Sequence, residues 1–136
     1  MSVHQSLLPP GWPRPKGYAN AIAASGRMIF TAGIVGWDQQ QRFVDGGLAE
    51  QFRQVLLNLL AVLRAGGAGP EHLVRLTWFV VDRDDYVANL ASIGAIYREL
   101  VGKNYPAMAV VQVSALVEPA ALIEIEATAV VPENPP

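Results

Sequence analysis

The sequence contains no cysteine. That excludes disulfides, thiolate nucleophiles and zinc–thiolate sites together. It fits a reducing compartment, and a cytoplasmic location is expected. Histidine is scarce as well: His4 and His72 are the two in the chain, neither has a spaced ligand partner, and no metal site is expected. Charged residues make up 16% of the chain, with a net charge of −2 and a pI of about 5.6. No basic patch is available to neutralise phosphates, so nucleic acid is not an expected partner. No run approaches the roughly 20 apolar residues of a membrane-spanning helix. The first residues lack the basic start of a secretory signal, and Pro9 and Pro10 break their apolar run at once. There is no internal repeat of the solenoid kind, and the Ser and Thr residues show no triad context.

What is present suits one domain with a real core. The chain has 136 residues, 51% of them apolar, and a mean hydropathy of +0.25. For a single small domain this is rich in apolar residues, and burial of some surface against another subunit is expected. Residues 1–17 read as a proline-rich arm, extended and irregular over Pro9–Lys16, with Trp12 as a large apolar group seeking a packing partner. Residues 18–131 form the domain, and 132–136 a disordered tail.

Within the domain, Tyr18–Ala24 and Met28–Ala32 read as short strands, and Ser25-Gly26-Arg27 between them predicts a hairpin. Gly33 to Gly47 is a loop carrying Trp37 and Arg42. Leu48–Ala65 is a helix: Phe52, Val55, Leu56, Leu59, Leu60 and Leu63 recur at helical spacing, and Gly66-Gly67 stops it. Leu73–Val81 is apolar on both faces, which predicts a covered central strand. Asp82, Asp84 and Asp85 offer caps for a second helix over Tyr86–Val101, with a stripe of Tyr86, Leu90, Ile93, Tyr97 and Leu100. Gly94 inside it costs about 1 kcal/mol relative to alanine, and suggests close packing or a nearby ligand. Ala107–Val113 and Leu122–Ala129 are the last two strands. The order β-β-α-β-α-β-β is an α+β fold in which two helices cover one face of a sheet. In Ala107–Val113 both faces are apolar, so the face without helices must be buried between subunits related by closed symmetry.

Glu124 and Glu126 lie inside the last strand. Strand residues two apart point the same way, so both carboxylates share one face and Ile123, Ile125 and Ala127 take the other. Taken by itself, this pattern reads as an edge strand with a solvated acidic face. A buried pair would need partners or a change of protonation state.

Several ordered motifs carry a resemblance. Leu56-Leu57-Asn58-Leu59 with Ala61-Val62-Leu63, Phe30-Thr31-Ala32-Gly33, Phe79 to Asp82, Tyr105-Pro106-Ala107, Val111-Gln112-Val113 and Ile123-Glu124-Ile125-Glu126-Ala127 resemble the pattern of the RidA/YjgF family of reactive intermediate deaminases. The resemblance runs from about Tyr18 to Val130. It implies a chorismate-mutase-like fold and a homotrimer with small-molecule clefts between protomers. It also implies hydrolysis of imines or enamines to carbonyl compounds and ammonia, with no metal or organic cofactor. By the same resemblance Glu124 is the catalytic acid–base, with Glu126 beside it to share a proton. Tyr18, Ala32, Gly33, Phe79, Met108 and Val110 fall at positions around the substrate.

The chain departs from the family at Pro106-Ala107-Met108, where the family has Pro-Ala-Arg. That arginine grips a substrate carboxylate, and methionine has neither charge nor donor to replace it. Gly94 falls where a cleft asparagine often sits, and Val110 replaces a cysteine. Three readings follow. One is a deaminase acting on an atypical substrate, with Arg14, Lys16 or Arg42 as a substitute anion contact. Another is a non-catalytic trimer binding a small apolar or aromatic ligand. The third is an endoribonuclease or translation inhibitor, which the acidic pI opposes.

Overall fold

Apolar periodicity places the main elements in the computed structural model, which describes residues 2–133. Of the predicted tail, residues 134–136 lie outside the described residues. Short strands β1 (Gln5–Leu7), β2 (Ala21–Ala23), β3 (Arg27–Phe30) and β4 (Ile34–Val35) precede helix α1 (Leu48–Ala65). A 3-10 turn at Pro70–His72 leads into β5 (Leu73–Val80). Helices α2 (Arg83–Ala88) and α3 (Leu90–Leu100) follow, then β6 (Ala107–Gln112) and β7 (Ile123–Val131).

The main sheet runs β3-β7-β5-β6, with β4 also paired to β7. Strand β5 is parallel to β6 and antiparallel to β7. The helices cover one face. Phe52, Leu56, Leu59 and Leu63 of α1 are fully buried against Leu76, Ile123 and Ile125 of the sheet, with Ile93, Ile96 and Tyr97 of α3 completing the core. Burying a Leu or Ile side chain contributes about 1.5–3 kcal/mol each, so this layer dominates stability. The α+β, chorismate-mutase-like architecture is as expected. No helix among the described residues is long and apolar enough to cross a membrane.

Four expectations are corrected. The hairpin does not form: β2 pairs with β1 of the arm (Ser6 opposite Ile22), while β3 pairs with β7 (Ile29 opposite Ala129). Gly26 is packed against the end of β7, where a Cβ would lie 2.2 Å from the Val131 carbonyl oxygen. The turn therefore directs β3 onto β7 rather than back onto β2. Second, the loop between Gly33 and Gly47 contains β4. Third, the second helix is two helices joined at Asn89, whose side chain donates to the Asp85 carbonyl oxygen (2.8 Å) and carboxylate (3.0 Å). Its start is capped by Asp82, which accepts from the Asp85 N–H at 3.1 Å. Leu90 is exposed, and Ile96 takes its place in the buried stripe. Fourth, β7 is flanked on both sides, so the edge-strand reading of the two glutamates fails.

Candidate functional site

The period of β7 decides where the acids point. Ile123, Ile125, Ala127 and Ala129 are buried under the helices, and Glu124 and Glu126 emerge on the open face. Across the sheet Glu124 lies in register with Phe79 of β5 on one side and Val35 of β4 on the other. Gly33 lies directly against it: a Cβ there would meet Glu124 Oε2 at 2.2 Å. The carboxylate thus occupies the space a side chain at 33 would take, and Ala32 and Gly33 are exposed beside it. Two residues along, Glu126 lines a hollow of about 250 Å³ with Phe30, Arg75, Thr77 and Thr128.

Polar side chains hold this arrangement from behind. The Thr31 N–H donates to the Ala127 carbonyl at 2.9 Å, and the Ala127 N–H donates to Thr31 Oγ1 at 2.9 Å. Asn58 of α1 donates to the Val35 and Trp37 carbonyls at 3.1 and 2.8 Å. Gln51, buried in α1, donates to the Ala120 carbonyl and accepts from the Leu122 N–H, both at 2.8 Å. Together these tie α1 to β4 and to the segment that enters β7. Of the three, Thr31 and Asn58 appeared only as letters of a motif, and Gln51 carried no sequence signal beyond a polar residue on an apolar stripe.

Met108 belongs to a different place. In the parallel pair Leu76 faces Met108 and Trp78 faces Val110, so Met108 and Val110 are on the helix side of β6. Met108 lines a cavity of about 220 Å³ with Trp78, Tyr105, Lys16, Gly94 and Arg98. Tyr18 lies nearby. The Ala19 N–H donates to the Pro106 carbonyl at 3.0 Å and Ala19 bridges to Ala107, which sets Tyr18 beside the start of β6. Tyr18 lines its own hollow of about 390 Å³ with Arg14, Lys103 and Tyr105. One protomer therefore brings Glu124, Ala32, Gly33 and Phe79 together on one face, and places Met108 on the helix side of the sheet with Tyr18 in a neighbouring hollow. It does not join the two groups.

Of the three cations considered as substitutes, Lys16 stands at Met108, Arg14 at Tyr18, and Arg42 pairs with Asp38 at 3.6 Å in an exposed loop. The Arg42 backbone N–H holds the Asp38 carboxyl below its usual range. Arg98 was not singled out from the sequence, and its one signal was the glycine four residues before it. Burial raises the Tyr86 and Tyr97 hydroxyls above the ordinary tyrosine range, and the Tyr97 hydroxyl donates to the Asn104 carbonyl. Among the described residues no group of three His, Asp or Glu side chains is placed to hold a metal.

Residues 13–131 match the family model described as Endoribonuclease L-PSP. A human protein named 2-iminobutanoate/2-iminopropanoate deaminase is 33% identical over 114 residues, covering 83% of this chain and 79% of its own. The chain belongs to the RidA/YjgF family. Among its RidA/YjgF relatives, the RutC family protein slr0709 of Synechocystis is 39% identical over 123 residues, 88% of this chain and 91% of the relative. The crystal structure of the Rid family protein YyfB from Yersinia pestis superposes with a TM-score of 0.83 at 38% identity, covering 94% of this chain and 98% of that one. RidA from an Antarctic Psychrobacter gives a TM-score of 0.68 at 25% identity, covering 85% and 89%.

Proposed function

We propose that this chain hydrolyses a reactive imine or enamine in a cleft that neighbouring protomers of a homotrimer complete. The observation that carries the reading is the half-buried Glu124 carboxylate seated on Gly33, on a sheet face that the helices among the described residues leave open. Phe30 and Met28 on that side are 70% and 62% exposed, more apolar surface than a solitary protomer ordinarily leaves in water. Glu124 and Met108 emerge from opposite faces of one sheet. The cleft that the family resemblance implies, with both residues in it, would need a second copy. Relatives named as deaminases of 2-iminobutanoate and 2-iminopropanoate supply the reaction class.

In this reading the water oxygen bonds to the imine carbon while Glu124 accepts a proton from it. Glu124 then returns that proton to nitrogen to give the carbinolamine, carries the adduct's hydroxyl proton to the same nitrogen, and the C–N bond breaks, so that ammonia leaves and a carbonyl compound remains. An enamine first takes a proton at carbon to become the imine. Met108 stands where the family's carboxylate-gripping arginine is expected, so imines of simple amino acids are poor substrates. The residues ask for no metal or organic cofactor, and we place the reaction in the cytoplasm.

Ammonia release from imines generated in situ tests this. Glu124→Gln should reduce any activity by about 10²-fold or more, and Met108→Arg should raise turnover of the pyruvate-derived imine. Sedimentation should give three times the 14.6 kDa protomer. A monomer, or full activity in Glu124→Gln, would overturn the proposal. The absence of charge at Met108 also supports a second reading, a trimer that binds without turnover; a saturating ligand recovered chemically unchanged decides for it.

A further inference from the structure

We propose that the cavity beside Met108 binds an aromatic carboxylate, its ring among Trp78, Tyr86 and Tyr105 and its anionic end on Arg98 and Lys16. The inference deepens the deaminase reading by naming a substrate class, and it rests on that reading only for the chemistry that follows binding.

The walls set the size and shape. The cavity is about 220 Å³, and ~150 Å³ of apolar space already holds a benzene ring. Trp78 meets Tyr86 edge-on at 6.3 Å, and Tyr97 lies parallel to Tyr105 at 5.4 Å, 13° apart. Met108 adds a polarisable thioether of the kind that packs on ring edges. Such a lining favours a flat ring over a branched aliphatic chain.

The charges set the sign. Among the described residues no acidic side chain lines the cavity, but Lys16 and Arg98 do. Among the described residues neither has an ion pair or a side-chain hydrogen bond, although Arg53 and Glu99 close by pair with each other at 2.6 Å. The Arg98 guanidinium lies over Gly94: a Cβ there would stand 3.3 Å from Nη1, tighter than ordinary contact. The glycine that costs helix stability thus leaves room for the guanidinium at the cavity. At this cavity β6 contributes the uncharged Met108, and α3 contributes the cation.

Calorimetry of the intact protein with phenylpyruvate, pyruvate and benzyl methyl ketone tests the assignment. Phenylpyruvate should bind at least tenfold tighter than pyruvate, which lacks the ring, and than the ketone, which lacks the carboxylate. Arg98→Gln should weaken it tenfold or more at unchanged melting temperature, and Gly94→Ala by a smaller factor. The Trp78 indole N–H resonance, assigned with Trp78→Phe, should move on saturation. Affinity indifferent to Arg98→Gln, or no saturation, overturns the inference. Binding that depends on Arg98 without ammonia release from the phenylpyruvate-derived imine sinks the deaminase reading and leaves this one standing. Ammonia release that prefers the pyruvate-derived imine and ignores Arg98→Gln does the reverse.

Discussion

Replacing Gln51 by leucine should remove about 2–4 kcal/mol of stability, although the new side chain is apolar, similar in volume and placed in an apolar stripe. Gln51 is 4% exposed, and its amide bridges two main-chain groups on either side of Ala121. Leucine fills the space but leaves the Leu122 N–H without its acceptor, at about 1–3 kcal/mol for a buried group. The Ala120 carbonyl lies in an exposed residue, so water partly replaces the lost donor and the second bond counts for about 1 kcal/mol. Against a total of about 5–15 kcal/mol for a typical domain the loss is large. It should lower the urea midpoint by about 1 M or more and the melting temperature by about 10 °C. Both are to be compared at equal protomer concentration, since assembly makes apparent stability concentration-dependent. Gln51→Glu sharpens the test. It keeps the acceptor for Leu122 but turns a carboxylate oxygen toward the Ala120 carbonyl. Burial and that carbonyl raise the folded-state pKa above the unfolded value of about 4.3. The folded variant then holds more protons than the unfolded one, so its stability relative to wild type is greatest below about pH 4.3 and falls as pH rises through the folded-state value. A Gln51→Leu midpoint within about 0.5 kcal/mol of wild type, or a Gln51→Glu deficit that does not change with pH, would refute the reasoning.

Two further outcomes follow from the geometry. In Gly33→Ala the Cβ must open its 2.2 Å approach to Glu124 Oε2 to at least 3.4 Å. The carboxylate therefore moves by about 1.2 Å, and misplacement on the order of 1 Å costs about 10²-fold in rate. The displaced atom ends a flexible, partly exposed side chain, so the melting temperature should stay near wild type; unchanged kcat/KM would show that Glu124 has no part in the reaction. The buried tyrosines predict an alkaline limit. Burial raises the hydroxyls of Tyr97 and Tyr86, while in the unfolded chain they lose their protons near pH 10. Above that pH the unfolded state binds fewer protons than the folded one, so stability should fall by about 1.4 kcal/mol per pH unit for each tyrosine. Urea unfolding from pH 9 to 11 measures the slope; Tyr97→Phe should flatten it, and a flat wild-type profile would contradict it.

Local pattern alone defined α1 with both ends, because an amphipathic stripe bounded by glycines is written in consecutive residues. The same holds for the bounds of β5 to within a residue, the Asp82 cap, and the common face of Glu124 and Glu126, which follows from a two-residue period. The strand partners were not legible. Gln5–Leu7 pairs with β2, and β3 and β4 both join β7. Which strand lies beside which is a contest among distant segments, and a turn such as Ser25-Gly26-Arg27 allows more than one outcome until Val131 closes against it. The break at Asn89 is not legible in the sequence because the apolar spacing continues across it. Glu124 was marked out by its position within a strand and a family motif. That Met108 emerges on the other face, and that Arg98 of α3 stands beside it, depended on the parallel register of β5 with β6 and on how α3 packs over the sheet. Sequence by itself determined the elements and which way each side chain leans from its own backbone. Only the tertiary structure decided which of those side chains share a cavity, because register and packing are set by contacts between residues far apart in the chain.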